Sequence, residues 1–80
     1  MPDSPHMATR IVRDVLTQRS LGECRKIHST WQGDLLVTLV EPYSWQGEST
    51  LLRRAEVAAG IRGVARAVIL HRRLLKIEWA

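Results

Sequence analysis

The chain has 80 residues, with 12 Lys or Arg against 8 Asp or Glu and a formal charge of +4. That length allows one small domain with little surface to bury, so stability depends on close packing or on a partner. A single cysteine, Cys24, excludes an internal disulfide, and no apolar run approaches the roughly 20 residues of a membrane-spanning helix.

Residues 1–7, Met-Pro-Asp-Ser-Pro-His-Met, carry two prolines and no apolar signal-peptide core. They are expected to be a disordered segment or a cloning remnant, with residues 8–80 forming the folded domain. The first helix is expected over 8–21. Ile11, Val12, Val15 and Leu16 form one apolar stripe, with Arg10, Arg13, Asp14, Gln18 and Arg19 opposite. Thr9 is the candidate N-cap and Gly22 the stop.

Residues 23–41 read as a β-hairpin. Its first arm runs from Cys24 to Thr30 and its turn is Trp31-Gln32-Gly33-Asp34, where Gly33 can take a positive φ. Its second arm, Leu35 to Val40, is apolar on both faces except at Thr38, as in a central covered strand. Pro42 ends that strand, since it cannot donate to a ladder.

The second helix is capped by Ser44, Gly47 or Ser49 and runs to about Ala59, with Leu51, Leu52, Ala55, Ala58 and Ala59 on one face. Gly60 stands where a helix C-cap accepts positive φ, and Gly63 follows. A strand is then expected from Val64 to Glu78, long for one strand, with a bend near His71-Arg72-Arg73 or a short terminal helix in its place. The order is αββαβ. It predicts an α+β two-layer sandwich with both helices on one face of a three-stranded mixed sheet, strands 2 and 3 parallel through a right-handed crossover. The expected core is Ile11, Val15, Leu16, Val37, Leu39, Leu52, Ala55, Ala59, Val64 and Val68.

The spaced Ala55 and Ala58, then Ile61, Gly63-Val64 and Val68, resemble the signature of the BON domain family, small bacterial modules of the cell envelope. Two departures stand out. Val68 lies four residues beyond Val64, leaving Ala67 at the family's usual valine position, and no glycine follows Val37-Thr38-Leu39. The resemblance implies the same αββαβ sandwich, a binding role without catalysis, phospholipid membranes as partner, and a periplasmic or envelope location.

The residues point to no enzyme chemistry. His6, His28, His71 and Cys24 have no zinc-ligand spacing, so no metal or other cofactor is expected. No nucleophile elbow surrounds a serine. From Arg53 to Lys76 the chain has seven Lys or Arg and one acid, Glu56. This favours an anionic partner, although a solvated basic face is the bland alternative. The candidate lipid- or anion-binding set is Arg53, Arg54, Arg62 and Arg66 with the loop aromatics Trp31, Tyr43 and Trp45. Cations on headgroup phosphates and rings at headgroup depth are the chemistry of an interfacial site. The competing reading is that the rings cap a core without Phe. Gly33, Gly60 and Gly63 are expected to form turns.

Three binding readings follow: anionic phospholipid or an envelope protein, a module that assembles with its own copies into a weak oligomer, and nucleic acid. The third rests on Gly60-Ile61-Arg62-Gly63, which fits the Gly-x-x-Gly loop of KH domains. It ranks last, because that loop joins two helices and here a strand follows.

Overall fold

Helix α1 (Pro5–Gln18), strands β1 (Cys24–Ser29) and β2 (Leu35–Leu39), helix α2 (Gly47–Ala59) and strands β3 (Val64–His71) and β4 (Leu74–Trp79) follow in that order. The computed structural model describes residues 5–42 and 47–80. Tyr43, Ser44 and Trp45 lie outside the described residues. The chain is thus an αββ unit written twice, not αββαβ.

The sheet has four strands in the order β1-β2-β4-β3, and every neighbouring pair is antiparallel. This corrects the expected three-stranded mixed sheet. The long last strand folds back at Arg72-Arg73 into a hairpin, and its second arm, β4, occupies the place beside β2 that a parallel β3 would have taken. Neither arginine has a positive φ. The hairpin accommodates an unprimed turn with a register shift between Ile69 and His71. The Arg73 N–H donates to His71 Nδ1 at 3.3 Å, and the Leu39 N–H donates to the Arg73 carbonyl at 2.8 Å. The turn is thereby tied to the end of β2.

Helix α1 begins at Pro5, a favoured first-turn residue, and places Thr9 inside the helix, not at its cap. Ala8, Val12 and Leu16 are fully buried, four residues apart, while Ile11 and Val15 are partly covered. The helix ends four residues before Gly22. Ser20 takes φ 55°, its N–H donates to the Thr17 carbonyl at 3.0 Å, and the Leu21 N–H donates to the Leu16 carbonyl at 3.0 Å. That is a Schellman motif, and both apolar partners, Leu16 and Leu21, lie in the core.

Both helices pack on one face of the sheet: α1 against β1 and α2, and α2 mainly over β3. The alternate residues Leu35, Val37 and Leu39 of β2 and Leu75 and Ile77 of β4 point to that face and join Ala8, Val12, Leu16, Leu21 and Ala58 in the core. Five expected core residues are corrected, the partly covered Ile11 and Val15 of α1 and three others. Leu52 is 60% exposed, Ala59 is exposed, and Val68 pairs with Lys76 on the opposite sheet face. Ala55 and Val64 pack at the core margin.

Gly33 and Gly63 have positive φ, as their turns require, whereas Gly60 does not. The chain leaving α2 first makes two further tight turns, Ile61 N–H to the Ala58 carbonyl at 3.1 Å and Val64 N–H to the Ile61 carbonyl at 3.0 Å. The left-handed residue is needed only at Gly63, where the chain enters β3.

Candidate binding surface

Pleating sends successive side chains to opposite sides of a strand, so a sheet covered on one face leaves a second set uncovered. Register fixes that set here. Lys26 and His28 of β1 pair with Thr38 and Leu36 of β2. Leu36 and Thr38 pair with Lys76 and Leu74 of β4. Arg66, Val68 and His71 of β3 pair with Glu78, Lys76 and Leu74. The helix-free face therefore has a half-buried middle of Leu36, Thr38, Val68 and Leu74. Lys76 stands within it, between Leu36 and Val68, while Lys26 and Arg66 lie to either side and Glu78 stands beside Arg66.

Glu78 holds two of those cations. Arg66 NH2 stands 2.7 Å from Glu78 Oε2 and Lys76 Nζ 3.8 Å from the same oxygen. The Arg66 hydrogen bond, with the Arg66 and Lys76 charges, lowers the Glu78 carboxyl below its ordinary value despite some opposing desolvation. Glu78 is therefore ionised at neutral pH and offsets part of the cationic charge of the face. At its end, in the turn between β1 and β2, Trp31 is 92% exposed.

The candidate arginines do not form one cluster. Arg53 is exposed on α2 and lies 3.7 Å from Glu56, a weak surface pair. Arg62 is exposed in the α2–β3 turn, and Arg66 stands on the open sheet face. Tyr43 and Trp45 lie outside the described residues.

Arg54 is inside the protein, 2% exposed. Its Nε–H donates to the Leu21 carbonyl at 2.6 Å, NH2 to the Val40 carbonyl at 2.8 Å and NH1 to the Arg72 carbonyl at 3.3 Å. One guanidinium thus ties the end of α1, the end of β2 and the β3–β4 turn. Burial lowers its ordinary value, with a small opposing effect of Cys24. A Cβ on Gly22, which has φ 110°, would stand 2.5 Å from Arg54 NH2, so the loop after α1 must be glycine for the guanidinium to reach its carbonyls. This residue is an internal clamp and has no surface to offer a ligand.

Cys24 is half-buried, and burial raises its thiol above the ordinary value, against the opposing pull of Arg13 and Arg54. Among the described residues no group of three His, Cys, Asp or Glu side chains could hold a metal. An open cleft of about 430 Å³ lies beside Leu21, Gly22 and Arg54, and one of about 460 Å³ between α1 and α2. Neither sets a general base beside a nucleophile. Gly60 to Gly63 joins a helix to a strand, the context already at odds with a KH loop. No described helix is long and apolar enough to cross a membrane.

Neither a family model, nor a curated protein, nor a solved structure matches this chain.

Proposed function

We infer that this chain is a non-catalytic binding module that applies its helix-free sheet face to anionic phospholipid surfaces. The observation that carries the reading is a helix-free face on which three cations, Lys26, Arg66 and Lys76, stand with the half-buried apolar residues Leu36, Val68 and Leu74. Trp31 at the rim supplies a ring for the headgroup layer. The resemblance of the Gly63-Val64 segment to BON domains supports the same class of ligand and an envelope location. The site is revised from the arginines of α2 and the turn after it to the sheet, with Arg66 and Trp31 common to both sets.

Each cation near an anionic surface contributes about 1 kcal/mol, so three together give measurable binding without a lipid anchor. Vesicle co-sedimentation at low salt should retain the protein on phosphatidylglycerol-rich liposomes and release it from phosphatidylcholine. Lys26→Glu with Lys76→Glu should weaken retention by at least about tenfold, since two attractions become repulsions. Arg53→Glu, on the helix side, should change it little. Protein left in the supernatant with anionic vesicles, or an equal loss for Arg53→Glu, would refute the sheet-face reading.

A further inference from the structure

The chain has three histidines, and the fold separates them. His6 is exposed in the first turn of α1, in the helix layer. His28 and His71 are exposed on the two edge strands, β1 and β3. Register puts both on the helix-free face, His28 opposite Leu36 and His71 opposite Leu74. They stand on opposite margins of the surface that carries Lys26, Arg66 and Lys76. Around His28, β1 supplies Lys26, β2 supplies Asp34 two residues before Leu36, and β4 adds Lys76 beyond Leu36. Helix α1 packs on the other side of β1. Beside His71 the turn supplies Arg72, held by Glu41 at 2.9 Å, and Arg73, while β2 adds only Thr38 beyond Leu74. From the helix layer, Leu51 and Arg54 of α2 line a small cavity with His71, and the Arg54 guanidinium is taken up by its three carbonyls.

We propose that this face is a pH-responsive site, in which protonation of His28 and His71 strengthens its hold on anionic phospholipid surfaces below neutral pH; this rests on the lipid reading of the sheet face. Histidine is the side chain that ordinarily changes charge between about pH 5 and 8. The two rings join Lys26, Arg66 and Lys76 and raise the cations on the face from three to five. The Glu78 carboxyl is held below its ordinary value, so it stays ionised through this range and leaves the change in charge to the histidines. A phosphodiester headgroup also keeps its charge, so the attraction grows from the protein side alone. The Arg73 N–H donates to His71 Nδ1 at 3.3 Å, and a proton on that nitrogen gives up only this long bond in an exposed turn. Binding and protonation are reciprocal: a surface that holds the charged face more tightly also draws protons onto the rings.

The test is co-sedimentation of the whole chain at low salt with phosphatidylglycerol-rich liposomes at two pH values. A cation beside an anionic surface is worth about fivefold in affinity, so retention should tighten by at least about tenfold from about pH 7.5 to about pH 5.5. His28→Gln with His71→Gln should remove most of that gain, with retention at the higher pH and the far-UV circular dichroism unchanged. His6→Gln takes the same titrating charge from the helix layer and should keep the gain. Retention at the higher pH that does not rise at the lower would overturn the pH response and leave the lipid reading standing. So would a gain that survives the double variant, or one that His6→Gln diminishes as much as the pair does. No retention at either pH would overturn both.

Discussion

Arg54→Met should cost about 3–5 kcal/mol, the largest loss expected of any single change to a polar residue in this chain. The methionine nearly fills the volume of the side chain but leaves the carbonyls of Leu21, Val40 and Arg72 without their donors. An orphaned buried acceptor costs about 1–3 kcal/mol, and water can reach only part of this site. A chain of this length has about 4–12 kcal/mol in all, so the variant stands near its unfolding threshold at room temperature. Arg54→Lys keeps the charge but cannot place donors on three carbonyls in one plane, and should recover only a minor part. Urea denaturation measures both. A loss under about 1 kcal/mol for Arg54→Met would mean that the three carbonyls are readily rehydrated and that the clamp is not structural.

Leu75→Ala should cost about 2–5 kcal/mol. Leu75 is 2% exposed, pairs with Val37 on one side and Ile69 on the other, and lies under both halves of the molecule. Its neighbours belong to paired strands and cannot collapse into the space, which places the cost toward the upper part of that range. The same truncation at Leu74, one residue away on the open face, should cost less than half as much. Equal losses at the two positions would show that the helix-free face is as well covered as the other.

The contrast between those two leucines also marks what the sequence can and cannot express. The stripe of α1, the apolar run of β2 and the glycine turns carry strong local signals, and the elements through α2 stand where those signals place them within a few residues. The fourth strand was hidden. A turn made of Arg72 and Arg73 has no glycine, proline or asparagine to announce it, and the apolar residues on either side read as one strand. Without β4 there was no antiparallel partner on the second side of β2, so the faces of Val68, Leu74 and Lys76 could not be assigned. Arg54 was legible only as a charge beside Arg53. Its partners are backbone carbonyls 33, 14 and 18 residues away, and no side-chain pattern records a carbonyl. The basic excess of the second half was plain, but strand pleating and helix rotation distribute it between the interior, the helix side and the open sheet face.

The repeated αββ order bears on how quickly this chain finds its structure. Each half closes its own hairpin through a short turn, whereas among the described residues the pairing of β2 with β4 is the only ladder between the halves. Loops between near neighbours close early and cheaply, and the halves must then lose their freedom relative to each other before that central ladder forms. Folding should therefore be limited by docking. In a chevron analysis Val37→Ala, at the junction, should mainly slow refolding, and Ile27→Val, at the outer edge, should mainly speed unfolding. The reverse distribution would place the barrier inside one half. A sequence that writes one unit twice thus puts its kinetic bottleneck at the seam between the copies.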